Sequence, residues 1–148
     1  MGMKKQPKQQ VNPPASVKKP HSKVTTGSGH LKPVWKFSIF DDDGPWGRPA
    51  LSEDHAWNEI LPKLRSFESM TWSQIEQAEK QNHSVPIEGL IRQAQKRLAD
   101  LRLDDNDELF RFRLSGKQRL WGIREHNYFK ILWWDADHAI CPSTPKNT

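Results

Sequence analysis

The chain of 148 residues has a single cysteine, Cys141, so no disulfide can form within it. A lone thiol fits a reducing compartment. No run approaches the roughly 18–20 apolar residues that a membrane-spanning helix needs, and the N-terminus lacks the apolar core of a secretory signal. Arginine is absent before Arg48, and the leading segment has no amphipathic pattern, which argues against a mitochondrial presequence. Acidic side chains are missing from residues 1–33, which hold seven lysines, and again from Leu109 to Arg124, which holds five cations. No internal repeat is visible. These absences leave a cytoplasmic protein of one domain, with no membrane partner, as the expectation.

The formal net charge of +5 conceals a split. Once residues 1–33 are set aside, the remaining 16 cations face all 18 acids, a net of −2. The excess positive charge therefore belongs to the leading segment. Residues 1–32 are Lys, Gln, Pro, Ser, Thr and Gly with almost nothing apolar, too little to offset chain entropy, so a disordered basic tail is expected there. Such a tail is either a solubiliser or an electrostatic arm for phosphates. The folded domain is expected over 33–142, with a flexible end at 143–148. Seven tryptophans indicate that the core or the site uses large flat side chains.

Trp35, Phe37 and Ile39 alternate along Val34 to Phe40 and predict a strand, ended by the turn Asp41 to Gly47. Three consecutive aspartates before Gly-Pro do not readily converge on one ion, so no metal is expected there. Ser52 is placed to cap a helix whose apolar face is Trp57, Ile60, Leu61, Leu64 and Phe67, with a kink or break at Pro62. Thr71 and Gln74 form a capping box for a second short helix. Residues 82–86 read as a break, with His83 a loop or cap residue. A third helix is expected from Pro86 to about Leu101 on the stripe Ile87, Leu90, Ile91, Ala94, Leu98 and Leu101.

The segment 109–138 alternates apolar and basic residues. Phe110, Phe112 and Leu114 point one way, and Arg111 and Arg113 the other. Turns at Ser115-Gly116-Lys117 and Glu125-His126-Asn127 divide it into three strands, and the nearly unbroken apolar run Tyr128 to Trp134 suits the centre of a sheet. The fold class expected is α+β: strand, helices, then a three-stranded antiparallel meander. The helices are expected on one face, with the other left as a shallow basic surface. A β surface bearing Arg111, Arg113, Lys117, Arg119 and Arg124 suits a polyanion, and nucleic acid is the first ligand to consider.

That element order, with RFRLSGKQRLWGI followed by FKILWWDADH, resembles the RelE/ParE toxin superfamily, which includes ribosome-dependent and free messenger-RNA endonucleases. The resemblance covers residues 34–141 in topology and 109–138 in sequence. It rests on Arg111-Phe112-Arg113-Leu114, the Ser115-Gly116 turn, Arg119-Leu120, and His138 where such proteins carry an Arg or His. Many endonuclease members continue with a tyrosine; this chain has Ala139-Ile140-Cys141. The resemblance implies a toxin that cleaves messenger RNA, free or on the ribosome, and is held inactive by a cognate antitoxin protein.

RNA can be cut without metal or cofactor when its own 2′-OH attacks the adjacent phosphate. The protein must then accept one proton, stabilise charge on phosphorus, and donate another to the departing oxygen. Arg111, Arg113 and Arg119 are candidates for the charge, and His138 for proton transfer with His83 and His126 behind it. Lys117 and Arg124 are candidates to hold flanking phosphates, and Trp121 and Trp134 to stack bases. The alternatives are solvent-facing strand cations, core tryptophans, and a RelE-like fold that binds nucleic acid or a protein without catalysis.

Overall fold

The computed structural model describes residues 27–142; the far end of the basic tail (1–26) and the C-terminal end (143–148) lie outside the described residues. Five strands form one sheet in the order β1-β5-β4-β3-β2. They are β1 (Val34–Lys36), β2 (His83–Pro86), β3 (Glu108–Arg113), β4 (Arg119–Glu125) and β5 (Tyr128–Asp135). β1 runs parallel to β5, and every other neighbouring pair is antiparallel. Three helices, α1 (Leu61–Glu68), α2 (Trp72–Ala78) and α3 (Arg92–Asp100), complete a mixed α+β fold. No helix among the described residues is long and apolar enough to cross a membrane.

The helices do not share one face of the sheet, as the sequence led us to expect. Leu90, Ala94 and Leu98 of the α3 region pack on Leu109, Trp121, Ile123, Leu132 and Trp133. Leu64, Phe67, Trp72 and Ile75 of α1 and α2 pack on Phe110, Phe112, Leu120, Phe129, Ile131 and Trp134. Alternating residues along β3 thus enter opposite cores, and the sheet is covered on both sides. The physical reason lies in the central strands, which are apolar on both faces and would expose Trp121 and Trp133 without the α3 layer, and Phe112 and Trp134 without the other. Adjacent Trp133 and Trp134 feed the two different layers.

A bulge shifts the register between β4 and β5. Trp121 faces Trp133, but Gly122 faces Ile131, so Leu132 is the extra residue and joins Trp133 on the α3 side. Gly122 has no room for a Cβ, which would meet the Lys130 carbonyl oxygen and the Phe129 ring. On the other face Trp35, Phe67, Trp72, Phe110, Phe112 and Phe129 interlock, largely edge-to-face or tilted, as their quadrupoles favour.

Several local expectations shift. The first strand stops at Lys36 because the chain turns at Phe37–Phe40 and rejoins β5 at Asp41, whose amide donates to the Leu132 carbonyl at 3.1 Å. Ser52 caps its helix as expected, its hydroxyl accepting from the His55 amide at 3.0 Å. A π-helical stretch, His55–Ile60, precedes α1, and Pro62, which lacks an N–H, falls in the first turn that follows. Thr71 and Gln74 form the full capping box. The segment read as a break, 82–86, is the edge strand β2, and α3 begins at Arg92 rather than Pro86 because Pro86 is extended and still paired to Glu108. The fold also begins earlier than residue 33. Ser28 is buried against Arg124, and the Leu31 carbonyl accepts from the Trp72 amide at 2.9 Å.

Asp41 is the polar centre of the α3 side. It is 1% exposed, and its carboxylate accepts from Arg97 (2.9 and 2.6 Å), the Trp133 indole (2.8 Å) and the Gly44 amide (2.9 Å). Burial pushes this carboxyl up, but the bonds from Arg97, Trp133, Gly44 and Asp43 more than offset it and hold the group at about 2. Gly47 lies against the Asp41 backbone and leaves no space for a side chain there. Asp41→Asn should cost about 3 kcal/mol, as loss of one partner from a buried ion pair does, read as a lower urea midpoint. The contribution of Asp41 is present above the ordinary value of 3.8 and fades as the pH falls through about 2. Wild type and variant should therefore converge in stability across that window. Parallel curves would show that the charge on Asp41 is not what stabilises the fold.

Candidate active site

The candidate cations on β3 and β4, Arg124 excepted, gather at one end of the α3 face. Register places Arg113 opposite Arg119 and Arg119 opposite Asp135, a row across three strands. The next row is His83, Arg111, Trp121 and Trp133. Two arginines directly opposed on a ladder repel each other, so their surroundings must compensate. Arg113 reaches Glu79 at 3.0 Å, and its Nε donates to the Gly116 carbonyl at 3.3 Å. Arg119 donates to the same carbonyl at 2.7 Å and to that of Gln118 at 3.1 Å. The Ser115–Gln118 turn therefore feeds carbonyl oxygen to both guanidiniums. Gly116, at φ 52°, allows that turn.

Arg111 and Arg119 are only 6% and 5% exposed. Arg111 donates to the Gln81 carbonyl (3.2 Å) and side-chain oxygen (2.6 Å) and lies 3.0 Å from His83 Nε2. Its guanidinium also faces the Trp121 ring and the Cys141 thiol. Burial lowers the pKa of both arginines, yet a guanidinium remains cationic under all ordinary conditions. The Nε of Arg119 is buried and has no partner.

The segment after β5 supplies the imidazole. Asp135 is 1% exposed and accepts from the Ala139 amide (2.8 Å), the Ile140 amide (3.0 Å) and the Trp121 indole (3.4 Å). These bonds fold residues 136–140 back over the strand end, with His138 in the left-handed region at φ 57°. The Ile140 carbonyl then accepts from Ile91 at the start of α3, at 2.9 Å. His138 Nε2 is buried without a partner. Burial depresses the His138 pKa, and the nearby charges of Arg119 and Arg111 depress it further, against smaller opposing effects of Asp135 and Cys141. The imidazole is consequently neutral near pH 7 and able to accept a proton.

Four residues singled out in the sequence thus converge: Arg111, Arg113, Arg119 and His138. Lys117 is exposed on the turn that closes the same end of the sheet. The other three do not join them. Arg124 lies on the opposite face, 7% exposed, with its guanidinium 4.1 Å from the Trp72 ring centre and bonded to Ser28 Oγ at 3.2 Å; it is a packing residue. Trp121 is fully buried beneath Arg111 and cannot stack a base. Trp134, 1% exposed, sits in the other core beside His55. His126 occupies the β4–β5 turn at the far end of the sheet. The expected open basin is instead a compact rim site walled by the 79–83 segment, the Ser115–Gln118 turn and the C-terminal turn. Glu79, Gln81 and Asp135 were missed as members; His83, held behind His138 as a candidate and read as a loop or cap residue, lies instead on the edge strand β2, whose four residues, one a proline, carry little periodic signal.

The chain matches no protein-family model, no curated protein and no solved structure. The resemblance to RelE/ParE toxins accordingly rests on element order and on residues 109–138.

Titration of the His138 ring by NMR should give a midpoint below the ordinary imidazole range, and Arg119→Gln should raise it by removing the neighbouring positive charge. A midpoint at the ordinary value, indifferent to Arg119, would mean the imidazole and the guanidiniums do not share a site.

Proposed function

We propose that this chain is a metal-independent endoribonuclease of the RelE type, a toxin cleaving messenger RNA by attack of the 2′-OH on the adjacent phosphate. The observation that carries the reading is the meeting of Arg111, Arg113 and Arg119 from two strands beside a neutral, half-buried His138. Guanidiniums at the end of a sheet are fixed before substrate arrives, so they stabilise charge on phosphorus without reorganisation in the transition state. The unpartnered Nε of Arg119 and Nε2 of His138 supply a donor and an acceptor for groups that the protein itself does not provide. His138 takes the 2′-OH proton, the arginines hold the phosphorane oxygens, and Lys117 holds a flanking phosphate. No step requires a metal or cofactor. The toxin role, and with it an antitoxin that covers the cationic rim, follows from the resemblance alone.

A second reading has its own support. Each of the three arginines already has protein partners in Gln81, Glu79 or Gly116, and Ala139-Ile140-Cys141 stands where many RelE-type nucleases carry tyrosine. On that reading the rim binds nucleic acid or a protein without cutting.

Purified protein should cleave single-stranded RNA in the presence of EDTA and leave 2′,3′-cyclic phosphate and 5′-hydroxyl ends. Arg119→Ala and His138→Ala should each lower the rate by about 10²-fold or more while the thermal midpoint stays within a few degrees. Growth arrest on expression should disappear with the same substitutions. Arrest that survives both would remove the nuclease mechanism, and RNA retention without cleavage would favour the binding reading.

A further inference from the structure

In-line cleavage needs two proton-handling groups, because the 2′-oxygen enters on one side of phosphorus while the 5′-oxygen leaves on the other. His138 provides only one. The strand order β5-β4-β3-β2 places the turn carrying His138 on one flank of the arginines and β2 on the other. His83 is the β2 residue directly opposite Arg111. Its backbone is separated from β5 by three strand spacings, roughly 14 Å. Both imidazoles lean inward across that span: His83 Nε2 lies 3.0 Å from Arg111 Nη2, and His138 feels the charges of Arg119 and Arg111.

We infer that His83 is a second catalytic residue of this site, the general acid that protonates the departing 5′-oxygen while His138 accepts the 2′-OH proton. The inference rests on the nuclease reading above. His83 Nδ1 lies 2.8 Å from the Ser84 carbonyl, which keeps a proton on that nitrogen and makes Nε2 the one that exchanges. Its side chain is exposed, so a proton reaches it from solvent, and Nε2 points to the guanidinium that faces the phosphate. In this structure Nε2 accepts from Arg111; when a phosphate draws the Arg111 N–H groups to itself, Nε2 is freed to take a proton from solvent and pass it to the leaving oxygen. The step balances: the 2′-O–P bond forms and its proton passes to His138, while the P–O5′ bond breaks and its oxygen takes the proton of His83. A cyclic phosphate and a 5′-hydroxyl result.

Other members of the cluster fit the role less well. Glu79 is tied to Arg113, and both oxygens of Asp135 are engaged by the C-terminal turn and Trp121. Cys141 lies against Arg111, and a thiol is only a weak hydrogen-bond donor.

The test uses full-length protein and two RNA oligonucleotides, one ordinary and one with sulfur replacing the bridging 5′-oxygen at the scissile bond. A thiolate leaves without being protonated, so the sulfur substrate makes a general acid unnecessary. His83→Ala should slow cleavage of ordinary RNA by about 10²–10⁴-fold yet cleave the sulfur substrate at a rate near wild type. His138→Ala should be slow on both. Equal slowing of His83→Ala on both substrates, or no slowing on either, would overturn the inference while leaving the nuclease reading intact. His83→Asn keeps an acceptor for Arg111 but has no acid; recovery of ordinary cleavage in that variant would show that His83 only positions Arg111, and would overturn the inference too. Wild-type protein that cleaves neither oligonucleotide would remove the nuclease reading, and this inference with it.

Discussion

The site depends on one buried carboxylate. Asp135, the last residue of β5, has nearly lost contact with water, and two backbone amides and an indole N–H take its place as solvent. Amide donors converging on one carboxylate are a strong local constraint, since each bond to charge exceeds a neutral one and the alternative is an unsolvated anion. The constraint turns residues 136–140 back on the sheet and fixes His138 in a conformation that a non-glycine residue adopts only when its surroundings compel it. The same carboxylate is the nearby negative charge for Arg111 and Arg119. It holds the rim together and moderates its charge.

Asp41 does a parallel task at the other end of the α3 layer. It gathers Arg97 of α3, Trp133 of β5 and its own following loop into one hydrogen-bonded knot. Both carboxylates lean on one row of the sheet, through Trp121 and Trp133, which face each other across the β4–β5 ladder. The tryptophans on this face are therefore girders with polar ends, which is how a buried indole satisfies its N–H. That is also why Trp121 cannot serve a nucleotide base.

How much of this could be read from the sequence follows from where each signal lives. The alternation Phe110-Arg111-Phe112-Arg113 fixed which residues share a face, and Thr71 with Gln74 marked a helix start, because both signals are local. The covered second face was visible in principle: Trp133-Trp134 puts large apolar groups at consecutive positions, which a one-sided sheet cannot hide. The bulge at Leu132 was not visible, since it depends on Gly122 admitting the Lys130 carbonyl from across the ladder. Nor could Arg124 be separated from Arg111 by composition. Both alternate correctly, and only the register and the helix above decide that one meets Trp72 and the other His83.

What distinguishes the rim as a site rather than a well-packed corner is where satisfaction fails. Buried polar atoms without partners also occur on the α1–α2 side, at Trp35, Trp134 and His55, but each sits in an aromatic neighbourhood. On the α3 side the unpartnered atoms are Arg119 Nε and His138 Nε2, a charged donor and a neutral acceptor in one electrostatic neighbourhood. Leaving a guanidinium N–H unmet costs far more than leaving an indole N–H so, and the cost recurs for every folded molecule. The repulsion of Arg113 and Arg119 and the left-handed backbone of His138 add to it. A fold that satisfies Asp41 with four donors has the means to satisfy these groups as well. Lys117 and His83, both exposed, flank the same end of the sheet, one on the β3–β4 turn and the other on the edge strand opposite Arg111.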